Sequence, residues 1–220
     1  MSTTATTPAR QAARATFVNN RLGSALAILP LGVWTLGHLW NNLSAFSGAA
    51  AWQSAVTEYP HPLAQGITFV IVLIPLVWHT AWGILRLTQT RPNYPRYSYF
   101  ANLKYILQRL SAIGLLGFLG AHLWLAFLKP RLIEGRAEPF SDIAHEMHFH
   151  GPTLLVYILG VLAIAYHLGN GAQQALMSWG AVSSKRALRQ WELLAWVLFI
   201  LLLALGWGAV YALYRAGAAL

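Results

Sequence analysis

Four of the eight histidines in this 220-residue chain stand where an imidazole is costly. His38, His79, His122 and His167 each fall inside a separate long apolar run, whereas His61, His145, His148 and His150 lie in or beside polar connections. A histidine in hydrocarbon faces a bundle interior and has either a partner or a task there. Its depth follows from helical rise. His38 lies 16 residues, and His122 19 residues, from the starts of their runs. At about 1.5 Å per residue, both stand about 24–28 Å above the side on which those runs begin. His79 and His167 lie about 10 and 11 residues from that same side, so about 15 Å above it. The four thus form two pairs on two levels, about 10 Å apart.

Neutral imidazole is a usual axial ligand of haem iron. A pair on facing helices fills both axial positions, leaves none for oxygen, and suits single-electron transfer. Two such centres, stacked, would carry electrons across a membrane. One intramembrane histidine alone reads first as an interhelical hydrogen-bond partner; four, one per run and paired by depth, favour two haems. Zinc is disfavoured, because two separated pairs do not make a cluster of three or four ligands. Gly160 and Gly171, at −7 and +4 from His167, share its face and leave room for a flat macrocycle or a close helix. Asn170 and Gln174 follow on that face. Arg86, at +7 from His79, suits either an inner propionate or a snorkelling charge. Gln108 and Ser111 precede His122 by 14 and 11 residues on one face.

The elements that must hold these residues are five apolar runs, 22–44, 66–89, 103–128, 152–178 and 191–214, of which the fifth has no histidine. Each is long enough to cross, since about 20 residues span the hydrocarbon. The chain is 57% hydrophobic and only 10% charged, against about 25% charged in a soluble domain. That much apolar surface cannot hide in so small a core, and 13% aromatic content excludes disorder. With no cysteine there are no disulfides and no thiolate-held clusters. The net charge of +9 falls between apolar runs rather than in one patch, so it reads as membrane topology and not as a nucleic-acid surface. Pro30 and Pro75 lie inside runs, which bilayer helices tolerate.

The expectation is an all-α membrane protein: five transmembrane helices over residues 21–217 form a haem-binding bundle behind a polar cytoplasmic tail, residues 1–20, that lacks the apolar stretch of a cleaved signal. Lys and Arg set the orientation. Arg10, Arg14, Arg21, Arg86, Arg91, Arg96, Lys104, Arg109, Lys185, Arg186 and Arg189 gather on one side, eleven against four (Lys129, Arg131, Arg136, Arg215). The second side holds Glu58, Glu134, Glu138, Asp142 and Glu146, five of the six acids. The amino terminus is expected inside and the carboxy terminus outside. The run His145 to His150 has the wrong spacing for zinc and reads as an outer structural segment, with a proton relay as the alternative. Trp40, Trp124, Trp179 and Trp191 fall near run ends as interfacial anchors.

These residues also carry a resemblance. Arg21-Leu22-Gly23-Ser24, Pro30, Gly32 and His38-Leu39 mark the first run; Tyr105-Ile106-Leu107-Gln108-Arg109-Leu110-Ser111 and Ala121-His122-Leu123-Trp124 mark the third. Tyr157, Gly160, His167, Asn170-Gly171, Trp179-Gly180 and Ser184 mark the fourth. Over about residues 15–215 the chain resembles the single-chain, five-helix dihaem cytochrome b subunit of succinate dehydrogenase and fumarate reductase. The resemblance implies outer-haem ligands His38 and His122, and inner-haem ligands His79 and His167, the pairing that depth gives. It implies propionate contacts at Arg21, Ser24 and Arg109. It also implies a flavoprotein and an iron–sulfur subunit docked on the cytoplasmic side, with electrons passing to or from a membrane quinone, generally menaquinone. Such a subunit has no succinate site of its own and sits as a multi-pass protein in the bacterial cytoplasmic membrane, in a complex that can form higher oligomers. A glutamate after the first helix is linked to quinone chemistry in some members, which nominates Glu58, equally readable as a solvated loop charge. Ala165 stands where some fumarate reductases have a membrane glutamate, so a proton path of that kind is not implied. Two rival readings are the cytochrome b anchor of a formate dehydrogenase or hydrogenase, and a small transporter with buried histidine relays. Against the transporter, no inverted repeat or paired broken helices are visible.

Overall fold

The computed structural model describes residues 17–18, 21–58, 62–89 and 91–220. Arg10, Arg14 and His61, together with most of the expected tail, lie outside the described residues. Five helices are long and apolar enough to cross a membrane: α1 (Arg21–Ser47), α3 (Gly66–Thr88), α4 (Phe100–Leu132), α6 (Gly151–Ser178) and α7 (Lys185–Gly217). They coincide with the five apolar runs, several extending a turn or two beyond them. Two shorter helices sit in the connections where the acids gather. The first, α2 (Ala49–Trp52), continues through a widened turn at Gln53–Thr57, and the second is α5 (Phe140–Phe149). No strand occurs among the described residues.

The prolines shape the spans. A proline lacks the N–H that would bond four residues back, and its ring crowds the carbonyl there. In α3 and α4 that crowded carbonyl belongs to Ile71 and Ala126, and both lie in widened π-helical turns, Phe69–Leu73 ahead of Pro75 and Trp124–Leu128 ahead of Pro130. In α1 the widened turn Ala27–Gly32 contains Pro30 itself. A π turn absorbs the clash without breaking the span. One consequence is positional: the turn after His122 begins two residues beyond it.

Buried residues concentrate where α5 lies across the ends of α6 and α7. Phe140, Ile143, Ala144 and Met147 of α5 pack with Trp52, Tyr157, Val210 and Leu213. Met147 is fully buried, and covering such a side chain stabilises by about 1.5–3 kcal/mol. Gly217 is required there, since a Cβ would collide with the Ala144 carbonyl. His148 Nδ1 donates to the Tyr214 carbonyl at 3.1 Å, latching α5 to α7. Gln53 ties α2 to the same region, donating to the Glu138 carbonyl (3.1 Å) and accepting from the Phe140 N–H (2.9 Å). The structural reading of the His145–His150 run is the one these contacts support. Elsewhere the spans turn broad apolar faces outward, as Val33, Val70, Val77, Ile113, Leu193 and Ile200 do, which is what a lipid environment asks of them.

Candidate functional site

Four spans bring the four histidines together in two pairs. The His38 ring of α1 faces the His122 ring of α4, centroids 5.9 Å apart and planes at 70°. The His79 ring of α3 faces the His167 ring of α6 at 6.2 Å and 69°. An imidazole nitrogen lies about 1.1 Å from its ring centre and about 2 Å from a bound metal, so two axial ligands of one iron hold their centroids about 6 Å apart. Both pairs meet that spacing. A direct hydrogen bond between the rings would need a closer, in-plane approach, and none joins them.

What holds each ring also matters, because a ligating histidine fixes its orientation through the other nitrogen. His79 Nδ1 donates to the Gly23 carbonyl of α1 at 3.0 Å. The close approach needs glycine, since a Cβ at Gly23 would stand 2.7 Å from the Trp82 ring. His167 Nδ1 lies 3.3 Å from Gln108 Nε2 and 3.4 Å from Ser111 Oγ of α4. Gln108 also donates to the His167 carbonyl (3.1 Å) and accepts from Asn170 Nδ2 (2.6 Å). His122 Nδ1 lies 3.0 Å from the Tyr157 hydroxyl of α6. With the ring hydrogen on Nδ1, the Gly23 carbonyl, the Ser111 hydroxyl and the Tyr157 phenol can each accept it, leaving Nε2 for a metal; the Gln108 amide nitrogen is a donor and holds His167 through its carbonyl instead. His38 differs: Asn42 Nδ2 lies 3.4 Å from its Nε2 and donates to its carbonyl at 2.8 Å, while its ring stacks on Trp34 at 4.6 Å. Ligation by His38 would take that lone pair from Asn42, which keeps the shorter bond.

The face of α4 that carries Gln108, Ser111 and His122 therefore serves both levels. Gln108 and Ser111 turn to the inner histidine of another span rather than to their own helix's ligand. The glycines on the His167 face make room for α4 and not for open space: a Cβ at Gly160 would run into the Phe118 ring, and one at Gly171 would meet Gln108 Nε2 at 3.3 Å.

The remaining sequence-nominated residues are placed as follows. Arg109 stacks over Tyr105 at 3.6 Å, and its buried Nε has no hydrogen-bond partner among the described residues. An orphaned guanidinium nitrogen beside the inner pair fits an anionic group such as a propionate. Ser24 donates to the Arg21 carbonyl (3.1 Å) and accepts from Trp179 Nε1 (3.1 Å), joining α1 to the end of α6. Arg21 lies over Phe17 at 3.9 Å, and Arg86 is 5.7 Å from the Trp82 ring on the inner histidine's helix. Glu58 is exposed just beyond α2. Lys104, counted above as a topogenic charge, is paired with Glu192 at 3.0 Å and Gln173 at 2.8 Å. Sequence reasoning gave no role to Trp34, Phe118 or Glu138; the first two are aromatic neighbours whose ring contacts depend on helix rotation.

Residues 86–206 match the family model for the succinate dehydrogenase/fumarate reductase transmembrane subunit. The chain belongs to that family. It is also 29% identical, over 198 residues, to the succinate dehydrogenase cytochrome b558 subunit of Bacillus subtilis (strain 168), an alignment covering 89% of this chain and 96% of the relative. The family match favours this assignment over a formate dehydrogenase or hydrogenase anchor. A transmembrane subunit of this family with five apolar helices is a multi-pass protein of the bacterial inner membrane.

Proposed function

We propose that this chain is the membrane cytochrome b subunit of a succinate:quinone oxidoreductase, holding two b haems. His38 and His122 would ligate the outer haem; His79 and His167 would ligate the inner one. The observation that carries the reading is the pair of ring separations, 5.9 and 6.2 Å, each between histidines of different spans. A bis-histidine b haem supplies one-electron transfer at an iron closed to oxygen. The chain's own part is to fix the rings through Gly23, Gln108, Ser111 and Tyr157, and to offer Arg109, Arg86, Arg21 and Ser24 toward propionates. The name of the Bacillus subtilis relative supports a cytochrome b role.

On this reading a flavoprotein and an iron–sulfur subunit dock on the cytoplasmic side, where the amino terminus lies, and the electron acceptor or donor at the membrane is a quinone, of the menaquinone type. Glu58 is the nominee from the connection after α1 for quinone proton exchange. Residues 21–217 act as one cytochrome domain.

Haem content per polypeptide tests the assignment. Pyridine haemochrome and reduced-minus-oxidised spectra are taken on the wild type and on His38→Ala, His79→Ala, His122→Ala and His167→Ala. Two haems in the wild type, with the same one missing from both members of a pair, is the expected result. A wild type without haem, or losses that ignore the pairing, would sink it.

A further inference from the structure

The three histidines within the spans that have an engaged Nδ1 have different partners. His79 has a backbone carbonyl, His167 a serine hydroxyl, and His122 a phenol. Tyr157 is only 7% exposed, and a hydroxyl so buried must be bonded. The contact it has is His122 Nδ1, at 3.0 Å. The surrounding packing keeps the two together. Phe118 stacks on the His122 ring (5.3 Å, 19°) and meets the Tyr157 ring edge-on (5.4 Å, 86°). The bare Gly160, one turn along α6 from Tyr157, lets Phe118 into that corner. A phenylalanine at 157 would fill the same space, so packing does not explain the hydroxyl.

We propose that Tyr157 is a positioning residue for the outer centre, its phenol oxygen accepting the Nδ1–H of His122 and thereby lowering the reduction potential of iron bound at Nε2. The inference rests on the haem reading above. Once Nε2 ligates a metal, the hydrogen of the neutral ring resides on Nδ1, so the histidine donates and the phenol accepts. An acceptor at that position raises the basicity of the ligating nitrogen, which stabilises the more positive, oxidised iron. The inner pair has its own partners on other spans, so the effect of Tyr157 is confined to one level.

The test is a redox titration with low-temperature electron paramagnetic resonance on the purified complex, comparing wild type, Tyr157→Phe, Tyr157→Gln and His122→Ala. The centre missing from H122A is the one to follow. Tyr157→Phe should keep two haems, shift that centre's potential upward, change its low-spin signal and leave the other centre where it was. Tyr157→Gln, whose amide oxygen accepts the same hydrogen, should move the potential back toward the wild type. Unchanged potentials in Y157F, equal shifts in Y157F and Y157Q, or a shift of the other centre would overturn the proposal. If Y157F loses a haem, retention in Y157Q supports the hydrogen bond and loss in both assigns Tyr157 to packing alone. A wild type without haem, or an H122A variant that keeps both, defeats the haem reading instead.

Discussion

A single nitrogen separates a packing arginine from a functional one at position 109. Its guanidinium lies over the Tyr105 ring, and one terminal nitrogen reaches the Tyr105 carbonyl at 3.5 Å, yet the buried Nε has no partner among the described residues. A positive charge near the inner pair favours the reduced, less positive iron, so Arg109→Gln should lower the potential of the centre that depends on His79 and His167. Redox titration of the variant checks this, and an unchanged inner potential would return Arg109 to a structural role. Gln108 makes the complementary case. It accepts from Asn170 and donates to the His167 carbonyl, with its amide nitrogen 3.3 Å from the His167 ring. Replacing it with Leu leaves Asn170 and the His167 carbonyl without those bonds and frees the turn that aims the ring, and losing groups that orient a ligating histidine weakens metal-group affinity about 10–100-fold. Gln108→Leu should therefore lose the inner haem selectively, read as a drop from two haems to one in the purified complex. The histidines themselves were legible in the sequence, because their cost in hydrocarbon singles them out. Their buttresses were only half legible: spacing put Gln108 on a face of α4, but which histidine that face meets at each level depends on how α4 packs against α6.

The five spans could be read from apolar run length, and the turns at Pro75 and Pro130 could not, since a proline kinks, breaks or widens a helix and only packing decides which. The same holds for α5, whose ten residues are too short and too mixed to announce themselves as a docked helix. Their docking buries Glu138 just before α5. Glu138 is 7% exposed and lines a cavity of about 180 Å³ with Lys129, Glu134, Asp142 and Glu146. Burial first, then Asp142 and Glu134, push its carboxyl up to about 7 from the usual 4.5, against the pull of Lys129 and Arg136. The folded chain thus holds this proton more tightly than the unfolded one. Stability linked to it is complete below about pH 4.5 and is lost as pH rises through about 7, on the order of 3 kcal/mol in all. Glu138→Gln removes that dependence. The difference in thermal midpoint between variant and wild type should be near zero at pH 4.5 and grow in the variant's favour toward pH 8. A difference that does not change with pH would mean that Glu138 titrates as an exposed acid.

At the scale of the whole molecule, the direction of the electron path and the docking side depend on which way the bundle lies in the membrane. The charge asymmetry, eleven basic residues against four, assigns the connection between α6 and α7 to the cytoplasm and the α4–α5 connection to the opposite side. The structure adds a refinement. Lys104 is neutralised by Glu192 within the bundle, and Arg136 on the opposite side pairs with Glu134 and Asp142 at 2.7 and 2.6 Å. Lys129 on that side also pairs with Glu134, at 3.6 Å, so discounting one paired cation on the first side and two on the second leaves ten to two, and the expected orientation keeps its sign. The absence of cysteine from the sequence makes a direct test clean. Ser141 in α5 and Ser183 between α6 and α7 are both exposed, so either accepts a small thiol without disturbing the packing. In intact cells, an impermeant maleimide should label Ser141→Cys and leave Ser183→Cys untouched until the membrane is opened. The outer pair then lies toward the labelled face, and an electron moving between the two levels moves along the membrane normal. Full crossing costs or yields about 2.3 kcal/mol per 100 mV, so turnover in sealed vesicles should respond to an imposed potential by some fraction of that. Labelling of Ser183→Cys from outside would invert the bundle, put the basic connections on the wrong face for the iron–sulfur partner, and remove the docking side on which the proposed electron path depends.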